Sequence, residues 1–515
     1  MFLMVALPLL LATQEPAASE VSVEDVARAV GCRSLWSSEH GIEILGKADV
    51  LGIEGSVRIV LAPDGRFMRE LSSRYGERIG FDGTAVWRVD PSGMPSVLDL
   101  EQRCFRLCEH VVLGGEWLRP DGLWRATREP SQDSDASLAF RLEHEDWEHE
   151  NDALQARVFV DRKTLLPGKW VRATAIGDEE WSLGGWKSAG GFLVPMEIDR
   201  KGRVVDEKWR FTEARPMTTD LKPLVDLPRE RPKDTRFDPS VISRLECRKA
   251  PSGHLLVHPL VEDADVGWFV LDSGASVMVI DKACAEALEM PAFGRVLGYG
   301  ASDDVLESQL REGGSFVLGP MRIDRLFYNE LDLGAMSAAM GERLAGICGY
   351  DLFARAVVSV DMKKGIIDLF DPEAFALADA AWLHLTLHLN HPHVLCAFEG
   401  DEEGVFRLDV GAALPNVIFH GPAVERLKLL EGRESKILRG LQGAAGGVSA
   451  RVGILEWFEL GGERFENVSA MFTTENRGAI ADPWTLGTIG GGLMGRFVVV
   501  FDYPHRRIAF QPTSD

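Results

Sequence analysis

The sequence predicts a mainly β protein, in which a curved antiparallel sheet domain precedes a bilobal all-β domain. Three observations support this prediction. Residues 48–215 contain repeated hairpin patterns, residues 216–239 form a Pro-rich linker, and segments 240–380 and 381–515 match one another at an offset of 137 residues. Short strands separated by turn signals are typical of all-β folds. An internal repeat indicates that one structural unit occurs twice.

Composition narrows the class of protein. A chain of 515 residues is too long for one ordinary core and predicts several folding units. The formal net charge is -23 and no Lys/Arg cluster is present, which argues against nucleic acid as a partner. The seven cysteines are few for an exported chain, and their number is odd, so disulfides are not expected to be the main source of stability.

Residues 1–19 predict a secretory signal peptide. The apolar run MFLMVALPLLLA is too short to span a bilayer, which takes about 20 residues. Ala17, Ala18 and Ser19 follow it and are small enough for a cleavage site. No Lys or Arg precedes the run, so an apolar N-terminal strand or tail is the alternative. We therefore expect a secreted or periplasmic protein.

Residues 20–215 predict a short helix followed by antiparallel strands. Apolar positions recur at helical spacing at the start of the segment, within residues 20–45. Hairpin patterns then surround a Pro-Asp-Gly turn at 63–65 and an Asp-Gly turn at 82–83. Each strand has one polar and one apolar face, which predicts a curved sheet or half-barrel.

This order of elements resembles the lipoprotein-carrier family of the bacterial envelope. The resemblance lies in the helix-then-sheet order, in the FDG…W strand pair with Phe81 and Trp87, and in the VFVD…LP hairpin at 158–167. It implies a concave apolar surface that would bind a membrane-associated or lipoprotein ligand. The alternative is a structural module that docks on the C-terminal domain. The sequence leaves both open.

The C-terminal part contains one motif twice. The segment GWFVLDSGASVMVI at 267–280 aligns with GVFRLDVGAALPNVI at 404–418, which places Asp272 opposite Asp409. A lone Asp-Gly is a weak signal because it commonly makes a turn. Two copies with apolar flanks are far more specific. The repeat also pairs Gly274 with Gly411, Ala275 with Ala412, His254 with His391, and Gly349 with Gly490.

This duplicated pattern resembles the aspartic peptidases, in particular the bacterial relatives whose lobes are similar to retropepsin subunits. The resemblance covers residues 240–515 and implies two lobes, a peptide or protein substrate, and Asp272 and Asp409 as catalytic carboxylates. In that family a hairpin closes over the bound peptide. Tyr299 and Gly300 lie at the corresponding place, although a tyrosine in a surface turn is the alternative. The residues expected to support the carboxylates are Ser273, Gly274, Ala275, Val410, Gly411 and Ala412.

Two facing carboxyl groups can hydrolyse a peptide bond with water alone. At hydrogen-bonding distance both cannot ionise, so the pair holds one proton. The ionised member takes a proton from a water molecule, and the protonated member donates to the scissile carbonyl oxygen. The nucleophile is water, so the chemistry requires no metal and no cofactor.

The second motif departs from the family pattern at one position. Val410 stands where the family has Ser or Thr, whose hydroxyls hydrogen-bond across the lobes. Ser273 can make such a bond and Val410 cannot. One lost hydrogen bond typically costs about 1 kcal/mol. Two hypotheses follow: an exported aspartic endopeptidase, or a catalytically inactive peptide- or lipoprotein-binding envelope protein on a peptidase fold.

Four histidines in the stretch HLTLHLNHPH raise a metal site as an alternative. Leucines alternate with polar positions there, which is the period of a strand. No HExxH motif is present. The sequence therefore predicts an exposed strand face rather than a metal site at His384, His388, His391 and His393.

Overall fold

The protein folds mainly as β-strands in several mostly antiparallel sheets, which confirms the predicted fold class. No helix among the described residues is long and apolar enough to cross a membrane. The predicted signal peptide, residues 1–19, lies outside the described part of the chain. The computed structural model describes residues 21–144, 156–174, 176–299, 305–443, 446–474 and 478–513.

The N-terminal unit, residues 21–225, is built on a 13-stranded sheet and a separate two-stranded ribbon. Its strands are β1 (Ile42–Val50), β2 (Ile53–Leu61), β3 (Phe67–Ser72), β4 (Arg78–Phe81), β5 (Val86–Val89), β6 (Pro95–Val97), β7 (Trp124–Arg128), β8 (Ser137–His144), β9 (Ala156–Asp161), β10 (Pro167–Thr174), β11 (Gly177–Gly184), β12 (Lys187–Ala189), β13 (Phe192–Val194), β14 (Glu197–Lys201) and β15 (Asp206–Pro216). Its helices are α1 (Val23–Val30), α2 (Cys32–Trp36), α3 (Leu100–Gly114) and α4 (Lys222–Val225), with 3-10 turns at Glu116–Leu118 and Pro130–Gln132. The ribbon is β12–β13, and the large sheet has the order β6-β5-β4-β3-β2-β1-β15-β14-β11-β10-β9-β8-β7.

The predicted hairpins of this unit are present. Strands β2 and β3 pair around the turn at 63–65, and β4 and β5 pair around the turn at 82–83. The helical entry is also confirmed, and it ends before strand β1 begins at Ile42. Ser22 begins α1 as a capping box with Asp25, and Gly31 ends it in the left-handed conformation at φ 78°.

Helix α3 was not predicted, because its buried face carries charged and polar residues that interrupt the apolar period. Glu109 on this face is 1% exposed and forms ion pairs with Arg69 at 3.2 Å and Arg106 at 3.1 Å. Cys104 and Cys108 lie one turn apart on α3 and are buried, and all seven cysteines of the chain are free. The buried face of the helix therefore contains ion pairs as well as apolar side chains.

Part of the Pro-rich segment 216–239 packs against the N-terminal sheet. Val225 of α4 is fully buried, and its carbonyl accepts a hydrogen bond from the Trp87 indole nitrogen at 2.7 Å. Met217 and Leu221 belong to the same apolar cluster. The Pro-rich segment therefore makes ordered contacts with the N-terminal sheet. The exact domain boundaries stay predictions.

The two lobes, residues 235–370 and 383–512, contain the remaining strands. The first lobe has β16 (Thr235–Phe237), β17 (Arg244–Glu246), β18 (Arg248–Lys249), β19 (Leu255–Val257), β20 (Leu260–Val261), β21 (Ala264–Asp265), β22 (Trp268–Leu271), β23 (Met278–Asp281), β24 (Ala292–Tyr299), β25 (Val305–Gly313), β26 (Phe316–Leu318), β27 (Met321–Ile323), β28 (Leu326–Leu331), β29 (Leu344–Cys348), β30 (Val357–Asp361) and β31 (Ile366–Phe370). The second has β32 (Leu383–His384), β33 (Thr386–His388), β34 (His391–Phe398), β35 (Glu402–Leu408), β36 (Val417–Phe419), β37 (Lys436–Gly443), β38 (Gly446–Leu460), β39 (Glu463–Thr473), β40 (Gly487–Ile489), β41 (Phe497–Asp502) and β42 (Arg507–Pro512). Their helices are α5 (Lys282–Ala287), α6 (Gly334–Met340), α7 (Tyr350–Phe353), α8 (Gly421–Arg426) and α9 (Gly491–Met494), with 3-10 turns at Glu399–Asp401 and Tyr503–His505.

Each lobe has an eight-stranded sheet, and the two sheets have the same topology. The orders are β18-β19-β22-β29-β23-β28-β25-β24 and β33-β34-β35-β40-β36-β39-β38-β37. The parallel pairs also correspond, because β22–β29 matches β35–β40 and β23–β28 matches β36–β39. A six-stranded sheet, β17-β31-β30-β41-β42-β32, joins the lobes through the pair β30–β41. The sequence repeat is therefore a structural repeat.

The N-terminal unit contacts both lobes. The Leu51 carbonyl accepts a hydrogen bond from the Arg295 backbone in strand β24 at 2.9 Å. Arg74 forms an ion pair with Glu312 in strand β25 at 2.8 Å. The Gln102 side chain in α3 accepts a hydrogen bond from the Leu389 backbone, between β33 and β34, at 3.2 Å.

Candidate active site

Asp272 and Asp409 lie in two equivalent turns, one in each lobe. Asp272 directly follows β22, and Asp409 directly follows β35. The Asp272 backbone N–H donates to the Cys348 carbonyl at 3.0 Å, and the Asp409 N–H donates to the Ile489 carbonyl at the same distance. Buried strands therefore hold both turns in matching positions.

The two carboxyl groups face one another across the lobe boundary, because each lies against the glycine of the opposite turn. Burial raises the pKa of Asp272 well above its usual range, and the nearby Asp409 charge raises it further. The Gly274 N–H opposes this shift by donating to Asp272 Oδ1 at 2.7 Å. Both residues remain half-buried rather than sealed, so water can reach them.

Gly274 and Gly411 provide space for the carboxyl group of the opposite lobe. A Cβ atom on Gly274 would lie 2.5 Å from the Asp409 carboxyl carbon, and one on Gly411 would overlap the Asp272 carboxyl group. Neither glycine has a left-handed φ. The requirement for glycine is therefore steric and comes from across the lobe boundary.

Backbone amides stabilise each carboxylate. Gly274 supplies the donor to Asp272, and the Ala412 N–H donates to Asp409 Oδ1 at 3.0 Å. The Gly274 donor favours the ionised form of Asp272. The two amide donors come from different positions of the two turns, Gly274 in the first and Ala412 in the second.

Ser273 connects the two turns. Its hydroxyl, 1% exposed, donates to the Leu408 carbonyl at 2.9 Å and accepts from the Val410 N–H at 3.0 Å. Val410 is equally buried and has no hydroxyl with which to make the reciprocal bonds. One of the two cross-lobe hydroxyl contacts seen in the family pattern is therefore present.

Gly349 and Gly490 lie directly beneath the turns, as the repeat suggested. A Cβ on Gly490 would come within 2.5 Å of the Ala412 carbonyl oxygen, and one on Gly349 would come within 2.6 Å of the Ala275 carbonyl oxygen. Neighbouring backbone amides also donate to these carbonyl oxygens. The Tyr350 N–H, for example, donates to the Ala275 carbonyl at 3.0 Å. A side chain at either glycine would push its turn out of place.

The structure describes only part of the backbone of the predicted flap. Strands β24 and β25 form a hairpin in which Tyr299 pairs with Val305. The structure describes the backbone of Tyr299 but not its side chain, and Gly300 lies outside the described residues. The flap roles of both residues stay predictions. Strands β37 and β38 form the equivalent hairpin of the second lobe.

The prediction of an exposed histidine face is wrong for three of the four residues, because only His384 is exposed and His391 is half-buried. His388 and His393 are each 1% exposed. The Nε2 atom of His388 lies 3.3 Å from an Asp482 carboxylate oxygen and 4.0 Å from one of Glu101, which belongs to α3 of the N-terminal unit. Glu101 of α3 therefore lies against the face of the hairpin that carries His388. Among the described residues, no three or more His, Cys, Asp or Glu side chains are grouped so as to hold a metal ion.

Sequence reasoning missed Arg407, which lies in strand β35 close to the carboxyl pair. Its charge lowers the pKa of Asp272 and so opposes part of the effect of burial. Its guanidinium donates to the Thr488 hydroxyl at 2.9 Å. The signal was available, because the repeat places Arg407 opposite the apolar Val270.

Comparisons with known proteins give structural likenesses only. No family model matches the chain, and no curated protein matches it. A LolA superfamily protein from Nitrosomonas europaea is 12% identical with a TM-score of 0.28, covering 39% of this chain and 97% of its own. Basic 7S globulin from soybean is 10% identical with a TM-score of 0.33, covering 53% and 95%. A retropepsin-like aspartic protease from Rickettsia conorii is 16% identical with a TM-score of 0.19, covering 25% and 90%.

Every one of these TM-scores is below 0.5, so the likenesses carry no weight for function. Function has to be argued from the site itself, because one fold can host many activities. The relevant facts are the facing carboxyl groups, their amide donors and the cross-lobe serine.

Proposed function

We propose that the chain is an exported aspartic endopeptidase that hydrolyses peptide bonds with a water molecule activated between Asp272 and Asp409. The observation that supports this most strongly is that the two carboxyl groups, one from each lobe, face one another, each against the glycine of the opposite turn. Two carboxyl groups so close cannot both be ionised, so the pair holds one proton, in keeping with the raised pKa of Asp272.

The reaction uses both protonation states at once. The ionised member of the pair takes a proton from the bound water, and the resulting hydroxide attacks the scissile carbonyl carbon. The protonated member donates to the carbonyl oxygen, which gives a tetrahedral diol. Its collapse breaks the C–N bond, the leaving amine takes a proton, and one proton returns to the pair. No covalent enzyme intermediate forms.

The proposed substrate is a peptide or protein segment in extended conformation. The carboxyl groups are half-buried at the boundary of the two lobes, and each lobe has a hairpin at one edge of its sheet, β24–β25 in the first and β37–β38 in the second. The open strand edges of such hairpins can bond to a peptide backbone, whereas specificity comes from side-chain pockets. A folded substrate would have to unfold locally first.

A mixed peptide library tests this proposal. The full chain, Asp272→Asn and the control Asp121→Asn are incubated with the library between pH 3 and 7, and products are identified by mass spectrometry. Asp121 is exposed and lies in the N-terminal unit. We expect cleavage by the wild type and the control and none by Asp272→Asn. A folded wild type that produces no cleavage in this range contradicts the proposal.

A second candidate function is peptide or lipoprotein binding without catalysis. The observation that favours it is Val410, which leaves one cross-lobe hydroxyl contact unmade. The two functions differ in their response to Asp409→Asn. A binding protein keeps its affinity for a captured peptide after this change, whereas an endopeptidase loses turnover.

A further inference from the structure

A two-residue turn of the second lobe contacts the segment that follows Asp272 in the first lobe. The turn consists of Leu389 and Asn390 and joins β33 to β34. The Asn390 side-chain amide donates to the Ser276 carbonyl at 2.9 Å. Because a carbonyl oxygen only accepts, the amide nitrogen has to face it. This hydrogen bond crosses the lobe boundary four residues after Asp272 in the chain.

The segment around Ser276 is held on both sides by its own lobe. The Ala275 carbonyl accepts from a backbone N–H, and the Met278 N–H donates to a buried carboxylate, both of the first lobe. Asn390 bonds to the carbonyl between these two positions. The path of the chain directly after the Asp272 turn therefore depends on a side chain of the second lobe.

Asn390 supplies a cross-lobe hydrogen bond in the direction in which Val410 cannot. Ser273 of the first lobe holds the turn of Asp409, because its hydroxyl bonds to the backbone on both sides of that residue. Val410 has no hydroxyl with which to hold the turn of Asp272. The Asn390 amide runs from the second lobe to the first. With it, each lobe bonds to the Asp-containing segment of the other.

The repeat shows that the turn itself does not require an asparagine. The equivalent turn of the first lobe, between β18 and β19, has Gly253 at the position of Asn390. Gly253 has φ 86° and Asn390 has φ 65°, so both adopt the left-handed conformation, which glycine adopts without strain. Glycine would suit the backbone at both places. The asparagine is therefore explained by what its side chain contacts.

Helix α3 of the N-terminal unit contacts the same turn. Leu389 has φ 52°, which is costly for a leucine and persists only where the surrounding structure determines it. The Gln102 side chain of α3 accepts a hydrogen bond from the Leu389 N–H at 3.2 Å. The Asp99 carboxylate, at the start of the same helix, pairs with Arg506 of the second lobe. The N-terminal unit thus helps to fix a turn that bonds close to Asp272.

We propose that Asn390 is a positioning residue for Asp272, and that the N-terminal unit supports it through Gln102. The inference rests on the proposed function and deepens it, because it gives the N-terminal unit a part in arranging the carboxyl pair. Asn390 acts through the backbone of Ser276 and takes no part in proton transfer. Of the two alternatives that the sequence left open for this unit, the inference favours the structural module that docks on the C-terminal domain.

Kinetics of Asn390→Gly test the positioning role. The change removes the amide and allows the same left-handed backbone, as Gly253 does in the equivalent turn. Asn467→Gly is the control, because Asn467 has φ 54° and is exposed in strand β39. We expect kcat of Asn390→Gly to fall about 10-fold with KM within about twofold of the wild type, since a displaced reacting group slows the chemical step. The control should keep the wild-type kcat.

Gln102→Met tests the part played by the N-terminal unit. The change keeps the length and helix propensity of the side chain and removes the oxygen that accepts from Leu389. Arg103→Met is the control on the same helix, because Arg103 bonds to the Thr84 carbonyl within its own unit. We expect kcat of Gln102→Met to fall about threefold, less than for Asn390→Gly, because the Asn390 amide remains. Arg103→Met should keep the wild-type kcat.

A spectroscopic measurement follows the Ser276 carbonyl without any turnover. Labelling serine with ¹³C at the carbonyl and valine with ¹⁵N selects the few Ser–Val peptide bonds, which include 56–57, 276–277 and 359–360. Asn390→Gly and Gln102→Met should move the Ser276 carbonyl resonance and leave that of Ser359 unchanged. Arg103→Met should move neither resonance.

Three outcomes overturn the proposal. A folded Asn390→Gly variant with wild-type kcat would show that the amide does not position Asp272. An unmoved Ser276 resonance in Asn390→Gly would show that the contact does not form in solution. An unmoved one in Gln102→Met would show that the N-terminal unit does not support the turn. Thermal unfolding of each variant separates a local effect from loss of the fold.

The two measurements separate this proposal from the proposed function. Moved Ser276 resonances in a protein without peptidase activity support the contacts from α3 to the first lobe and contradict only the enzyme assignment. Unmoved resonances in a protein that cleaves peptides contradict the positioning role and leave the enzyme assignment intact.

Discussion

The hydroxyl of Ser273 accepts a hydrogen bond from the backbone N–H of Val410 in the opposite lobe at 3.0 Å. The same hydroxyl donates to the Leu408 carbonyl at 2.9 Å, so one side chain satisfies two buried backbone groups on the other side of the site. The position of Asp409, which lies between these two residues, therefore depends on a serine of the first lobe.

Ser273→Ala should destabilise the protein. The change leaves the Val410 N–H and the Leu408 carbonyl without their partner, and an unsatisfied buried polar group costs about 1–3 kcal/mol. We expect the free energy of unfolding in urea to fall by about 2 kcal/mol. Ser276→Ala, in the same turn, is the control, and its free energy of unfolding should fall by less than about 0.5 kcal/mol. Equal losses in the two variants would contradict the cross-lobe role of Ser273.

Val410→Thr should stabilise the protein, although it places a hydroxyl in a buried site. Valine and threonine have the same shape, and the repeat places the Leu271 carbonyl and the Ser273 N–H where the new hydroxyl would meet them. Two such bonds are expected to raise the free energy of unfolding by about 1 kcal/mol. The control is Val417→Thr, a buried strand position at which the hydroxyl should be destabilising. A loss in both variants would show that the second lobe offers no such partners.

Asp272→Asn should stabilise the protein at neutral pH. The pKa of Asp272 is raised in the folded state by burial and by Asp409, so the folded state binds a proton more tightly than the unfolded chain. This penalty is absent below the unfolded pKa of about 4 and grows as the pH rises towards the folded pKa. Urea unfolding should therefore show a larger gain for Asp272→Asn at pH 7 than at pH 4. A gain that does not change with pH would contradict the raised pKa.

His388 should stabilise the fold in acid more than in base. Burial lowers its pKa, but the Asp482 and Glu101 carboxylates more than offset this, and its pKa is raised. Its stabilising effect is thus fully present below the unfolded pKa of about 6.5 and is lost as the pH rises through the folded pKa. The pKa of Asp482 is lowered by His388, so its own contribution holds above about pH 4.

Unfolding of His388→Asn at two pH values measures this effect. We expect a loss of about 3 kcal/mol at pH 5.5, as for a buried ion pair that loses one partner, and a smaller loss at pH 8.5. His384→Asn is the control, because His384 is exposed in the neighbouring strand. Losses of equal size at both pH values would show that the pair does not contribute through charge.

The carboxyl pair could be predicted from the sequence because the repeat encodes it locally. Each Asp follows a buried strand, and each glycine is required beside it, so two short segments identify both turns. The reason for the glycines was not visible in the sequence. It is the carboxyl group of the other lobe, Asp409 for Gly274 and Asp272 for Gly411, which is distant in the chain.

The histidines near residue 390 and helix α3 were mispredicted or missed for a related reason. The alternation of leucines identified a strand but not what covers its other face, and Glu101 comes from a different unit. In α3, the sequence alone predicts that Glu109 faces solvent, because it does not reveal the ion pair that Glu109 forms with Arg69. A local sequence pattern does not predict the burial of a charged side chain when the opposite charge that neutralises it comes from a distant segment of the chain.

Initial rates of peptide cleavage at pH 5 by the wild type, Asp272→Asn and Asp409→Asn test the central claim most directly. Since neither carboxyl group can do the work of both, each variant should lose at least about 1000-fold in kcat/KM while remaining folded. Retention of activity in either variant would contradict a mechanism in which the two lobes contribute one carboxyl group each.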